Sequence, residues 1–125
     1  MEWKYFTDEE LQCSHCGENK MNDQYMQKIS SLRTLLGFPF IVTSAYRCPE
    51  HPSEARKEAP GGHSMGLAMD IHVYGEEAYR LLQEALKAGF TGIGISQRVS
   101  VPKRFIHLDT LTSAEGRPRP WLWGY

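Results

Sequence analysis

The stretch GGHSMGLAMDIHV, residues 61–73, begins as a turn and ends as a strand. From Ala68 onward the residues alternate. Met69, Ile71 and Val73 face one way; Ala68, Asp70 and His72 face the other. A strand whose second face carries a carboxylate and an imidazole has one side for a core and one side for chemistry. The glycines at 61, 62 and 66 allow the preceding loop to turn sharply, which brings His63 back over the strand.

A second segment has the same property. In RFIHLDT, residues 104–110, Ile106 and Leu108 share one face, and Phe105, His107 and Asp109 share the other. A catalytic zinc ion is held by three protein ligands when one coordination position must stay open. Two polar strand faces and one loop offer such a set: His63, Asp70 and His107. Each also has an ordinary reading. His63 can be a local hydrogen-bond partner, Asp70 a buried ion-pair member with Arg47, and His107 a satisfied core histidine.

Around these strands the chain reads as one small α+β unit of 125 residues, a small antiparallel sheet backed by helices. Thr7 and Glu10 have the spacing of a capping box over a short turn. Asn22 caps a longer helix through Leu36, with Tyr25, Ile29, Leu32 and Leu36 on one side and Gly37 as its stop. Residues 38–44 read as a strand. The polar loop that follows has room for a short helix near 53–58, limited by flanking prolines. Residues 75–89 form the clearest helix, with Ala78, Leu81, Leu82 and Ala85 on its buried side, and residues 92–96 give another strand. The tail GRPRPWLWGY is too apolar to hang free and is expected to pack back across the domain, where Trp121 and Trp123 either line a cleft or close the core.

Composition narrows the function classes. With 14 Lys and Arg against 15 Asp and Glu, the chain lacks the positive surface that a nucleic-acid partner requires. No run reaches the ~20 apolar residues of a membrane span. The start, MEWKYFTDEELQC, has neither the basic region nor the apolar core of a signal peptide, so the expected location at synthesis is the cytoplasm. Three cysteines argue against a disulfide scaffold. Cys13 and Cys16, with Cys48 and either His15 or His51, have the composition of a zinc knuckle; buried thiols acting as small hydrophobes are the plainer alternative.

Taken together, SAYRC (44–48), HSMGLAMDI (63–71) and FIHLD (105–109) resemble the M15 zinc peptidases, the D-alanyl-D-alanine carboxypeptidase and L-alanyl-D-glutamate endopeptidase group, and within it a short phage-associated branch. The resemblance covers roughly residues 6–110 and implies a single zinc-peptidase domain over 1–125. It implies Zn2+ as cofactor, with His63, Asp70 and His107 matching the zinc ligands. Arg47 matches the arginine that holds a substrate carboxylate, a role suited to a planar guanidinium. The implied activity is hydrolysis of peptide bonds in peptidoglycan stem peptides, at a D-amino-acid-containing linkage. The implied setting is the bacterial cell wall, with phage tail or lysis components as partners.

The chain departs from the family pattern in two places. Gly61 replaces the serine two residues before the histidine, and residues 101–106 contain no acid where many members place one. A general base is therefore sought elsewhere. Asp109 can act as base, or accept a hydrogen bond from a ligand imidazole and fix its tautomer. His72 shares the face of Asp70 and is a candidate for proton transfer or oxyanion stabilisation, or simply a histidine at the cleft edge. Glu50, Glu54 and Glu58 lie in the long loop, where one can fold over the metal. Without a base the alternative is a non-catalytic zinc-containing binding or structural module.

Overall fold

The alternation read at 68–73 and 104–110 becomes two central strands in a computed structural model that describes residues 3–55, 57 and 61–125. The elements are α1 (Asp8–Leu11), α2 (Asp23–Leu36), β1 (Ile41–Ser44), β2 (Ala68–His72), α3 (Gly75–Ala88), β3 (Gly92–Ser96), β4 (Phe105–Asp109) and β5 (Trp121–Gly124). Short 3-10 turns at Val101–Lys103 and Ser113–Glu115 flank β4. Among the described residues the strands form one sheet in the order β1-β2-β4-β3-β5. Three of its pairings are antiparallel; β5 runs parallel to β3.

One face of the sheet is apolar and carries the helices. Met69 and Ile71 of β2, Ile93 of β3, and Ile106 and Leu108 of β4 pack against Tyr25, Met26, Ile29 and Leu32 of α2 and Leu81 and Ala85 of α3. Each fully buried aliphatic side chain contributes about 1.5–3 kcal/mol relative to exposure. Tyr25, buried among them, donates its hydroxyl to the Leu108 carbonyl at 2.7 Å, and so ties α2 directly to the strand that bears His107.

The helix ends follow the local chemistry. The Thr7 and Glu10 side chains form the reciprocal capping box over α1. The Asn22 side chain accepts the Tyr25 N–H at 2.9 Å, and Gly37 closes α2 in the left-handed conformation.

Three expectations are refined. The strand after α2 is shorter than residues 38–44, because Phe38 and Phe40 turn into the core before pairing begins at Ile41. The loop near 53–58 shows turns through residue 55 and no helix among its described residues; Arg56 and residues 58–60, which include Glu58, lie outside them. The aromatic tail does pack back, and it does so as a strand. Its parallel pairing with β3 makes the sheet mixed rather than wholly antiparallel. No helix is long and apolar enough to cross a membrane, among the described residues.

Candidate metal centre

The register across the sheet builds the site. Ser44, Asp70, His107, Gly94 and Trp123 are successive cross-strand partners, and Ala68, Asp109, Gly92 and Trp121 form the adjoining row. Directly paired residues point to the same face, here the one opposite the helices. The glycines in these rows are required by space. A Cβ at Gly94 would lie 2.6 Å from the Trp123 ring, and one at Gly92 would overlap the Asp109 carboxylate. Two bare backbone positions thus let an indole and a carboxylate lean over β3 toward His107.

His63 arrives from the loop before β2. That loop is closed by backbone bonds from Leu67 to Gly62 (2.9 Å) and from Arg47 to His63 (3.2 Å). At its end Gly66 has φ +70°, and a Cβ there would overlap the Lys20 carbonyl, so only glycine fits. The result places His63, Asp70 and His107, all buried, with one donor atom from each lying within 4.8 Å of the others.

The hydrogen bonds fix which atoms face inward. His63 Nδ1 is 2.7 Å from the Ala45 carbonyl, which can only accept, so Nδ1 carries the proton and Nε2 presents a lone pair. That lone pair faces Asp70 Oδ1 at 3.2 Å. His107 Nε2 is 2.7 Å from Asp109 Oδ2 and its Nδ1 is 3.0 Å from the same Asp70 oxygen; with the shorter contact to Asp109 holding the proton on Nε2, the Nδ1 lone pair faces Asp70. Two imidazole lone pairs therefore converge on one carboxylate oxygen. Three acceptors cannot satisfy one another; a cation must stand among them, either protons on the rings or a metal ion.

The separations suit a metal. Tetrahedral zinc with bonds of about 2.0–2.1 Å sets its donor atoms about 3.3 Å apart. The two nitrogen–oxygen separations, 3.2 and 3.0 Å, lie close to that value, and the donor set, two imidazoles and a carboxylate, is that of a zinc site. Burial pushes the Asp70 carboxyl up, but the His107 and His63 rings more than reverse this and hold it well below the usual carboxylate range. For His107, burial opposes protonation, and the Asp109 and Asp70 carboxylates outweigh it and raise the imidazole.

Asp109 is fully committed to its neighbours. Oδ2 accepts from His107 Nε2 and from Arg119 Nη2 (2.8 Å); Oδ1 accepts from Arg119 Nε (3.0 Å) and the Leu111 N–H (3.2 Å). Burial raises this carboxyl and the His107 and Arg119 contacts lower it further, down to about 2. Arg47 donates from Nε to Ser44 Oγ at 2.9 Å, with Nη2 3.5 Å from Asp70 Oδ2 and Nη1 3.6 Å from Glu54 Oε2. The Glu54 carboxylate is buried. Oε2 accepts from Lys57 Nζ at 2.8 Å, while Oε1 has no hydrogen-bond partner among the described residues. His72, by contrast, donates from Nδ1 to the Arg104 carbonyl at 2.7 Å and lies beside Tyr74, away from the cleft wall.

The cleft over the cluster measures about 400 Å³. Among the described residues four cationic ones line it, Arg47, Lys57, Arg117 and Arg119, together with the rings of Phe105, Trp123 and Tyr125. The Trp123 ring centroid is 5.1 Å from that of His107, and the Arg119 guanidinium stacks 5.3 Å from the indole. The structure thus gathers His63, Asp70, His107, Asp109 and Arg47, and leaves His72 to one side. Arg119 and Glu54 were not identified from the sequence as members of the cluster. Arg119 lies in a tail whose strand has no clear pattern; Glu54 was one of three loop acids with nothing to choose among them.

An α+β sheet that presents a buried His2Asp set beneath a cationic cleft offers a candidate metal centre. A family model described as Peptidase M15 matches residues 4–109, and the chain belongs to the M15 zinc-peptidase family. At the family level the fold and the cluster support a zinc metallopeptidase. No curated protein and no solved structure matches the chain.

Proposed function

We propose that this chain hydrolyses peptide bonds in peptidoglycan stem peptides, at a D-amino-acid-containing linkage, with zinc held by His63 Nε2, Asp70 and His107 Nδ1. The observation that carries the reading is the convergence of two imidazole lone pairs and a carboxylate at 3.0–3.2 Å, on an M15 fold. When bound, zinc supplies Lewis acidity that acidifies water and polarises a carbonyl.

The protein's own groups do the rest. The Ala45 carbonyl and the Asp109 carboxylate lock the two imidazoles in the tautomers that face the metal. Arg47, steadied by Ser44, offers its guanidinium to a substrate carboxylate, and the other cations of the cleft favour the same acidic peptides. Trp123 and Tyr125 wall the cleft on the β5 side. Both oxygens of Asp109 already accept two hydrogen bonds each, so its part is to position His107. Among the described residues Glu54 has a buried carboxylate oxygen with no hydrogen-bond partner and lies beside Arg47, and we assign it the proton transfer to the leaving amine.

A second reading has its own support. Residues 101–106 hold no acid and Asp109 is saturated, as befits a zinc-containing binding module that needs no base. The test is to incubate zinc-loaded protein with purified peptidoglycan and a soluble stem peptide, and follow products by liquid chromatography and mass spectrometry. New peptide termini, absent with His107→Ala and slowed at unchanged zinc content with Glu54→Gln, support hydrolysis. Retention on the wall without any cleavage supports the binding module.

A further inference from the structure

A second cluster lies apart from the cleft. Cys13, Cys16 and Cys48 are all unpaired thiols, and their three sulfur atoms lie within 4.8 Å of one another. Tetrahedral zinc with Zn–S bonds of about 2.3 Å sets sulfur atoms about 3.8 Å apart, so the group is already gathered near the required spacing.

The backbone around Cys13 is arranged for a charged sulfur. Its Sγ accepts the His15 N–H and the Cys48 N–H, both at 3.3 Å. Two peptide dipoles aimed at one buried sulfur favour a thiolate over a neutral thiol. The turn itself is a closed knuckle. Gly17 adopts φ +77° and donates its N–H to the Cys13 carbonyl at 2.8 Å, and the Cys13 N–H reaches the Glu18 carbonyl at 2.7 Å. Cys-x-x-Cys-Gly with such N–H···S bonds holds two sulfurs on one side of a turn, and Cys48 supplies the third from the segment that follows β1. Packing of three small hydrophobes would account for burial, but not for the exposed Cys16 joining the group or for both N–H groups pointing at Cys13.

We propose that Cys13, Cys16 and Cys48 bind a structural zinc ion as thiolates, independent of the His63/Asp70/His107 centre. His51 has both ring nitrogens engaged, Nδ1 by the Ser53 N–H and Nε2 by Ser14, which leaves the fourth position to His15 or solvent. Such a site has a clear place in the fold. It staples the segment after α1 to the residue that follows Arg47, in a stretch where Tyr46 already bonds Leu11 backbone to backbone at 3.1 Å. Metal binding there fixes the start of the loop that carries Glu54 to Arg47.

Cobalt(II) is the probe. The full chain, reduced, stripped and reloaded, is expected to show intense near-ultraviolet sulfur-to-cobalt charge-transfer bands. The His63→Ala/His107→Ala variant keeps these bands, and Cys13→Ser/Cys16→Ser loses them. In parallel, elemental analysis gives one metal fewer per chain in each variant than in wild type. Should the cysteine variant fail to fold, titration of zinc-loaded wild type with a mercurial still decides, because thiolate-bound zinc is released in step with thiol modification. Cobalt-loaded protein without charge-transfer bands, or three thiols modified with no metal released, would overturn the proposal.

Discussion

Asp109→Asn is a nearly isosteric change whose effect can be worked out atom by atom. Each carboxylate oxygen of Asp109 accepts two donors: His107 Nε2 and Arg119 Nη2 at Oδ2, Leu111 N–H and Arg119 Nε at Oδ1. An amide has one oxygen, so in either orientation its NH2 points at two donors. If the NH2 meets His107, the imidazole must move its proton to Nδ1, and the lone pair that faces the metal is lost. If it meets the Leu111 side, Arg119 Nε and a peptide N–H are left facing hydrogens, and the Arg119 charge loses its counterion in a nearly buried setting. Breaking a buried ion pair on one side costs about 3–5 kcal/mol. Loss of the partner that orients a ligand imidazole typically weakens metal affinity about 10–100-fold. Two measurements check this: urea unfolding of the metal-free protein, and zinc competition against a chromogenic chelator. A stability loss below about 1 kcal/mol together with unchanged zinc affinity would refute the argument that Asp109 locks His107.

Three further outcomes follow from other parts of the structure. Gly94→Ala places a methyl against the Trp123 ring at 2.6 Å; displacement of the indole should cost about 1–3 kcal/mol in unfolding experiments and shift the tryptophan emission. Arg47→Lys keeps the charge but loses the planar fork and the Nε bond to Ser44, so KM for an acidic stem peptide should rise about tenfold or more while zinc content stays the same. Tyr25→Phe removes the buried hydroxyl that bonds the Leu108 carbonyl, with an expected loss of about 1–3 kcal/mol by denaturant titration and no change in metal content.

Much of the scaffold was legible because its signals are local. Asn22 and Gly37 bound α2 through hydrogen bonds made within a turn, and the alternation in AMDIHV and FIHLD needs only the strand period to assign two faces. The same alternation placed Asp70 and His107 on one side of the sheet, and the resemblance named them with His63. What the sequence hid depends on distant partners. Nothing within GRPRPWLWGY says that it pairs parallel to β3, since the pairing depends on Gly94 making room for Trp123 about thirty positions earlier. Arg119 could not be assigned to Asp109 until that strand was in place. Of Glu50 and Glu54, the two of these loop acids among the described residues, only the fold distinguishes Glu54, by burying it between Arg47 and Lys57. His72 has the periodicity of Asp70, yet the Arg104 carbonyl claims its Nδ1–H. Strand alternation gives the face of a residue and not its partners.

Whether His63, Asp70 and His107 form the zinc centre through the atoms named above is decided by anomalous scattering at the zinc edge from crystals of the zinc-loaded chain. The expected result is a zinc peak bonded by His63 Nε2, an Asp70 carboxylate oxygen and His107 Nδ1, with Asp109 still accepting from His107 Nε2. A well-ordered cluster with no anomalous peak among these three side chains, under zinc excess at neutral pH, would contradict it.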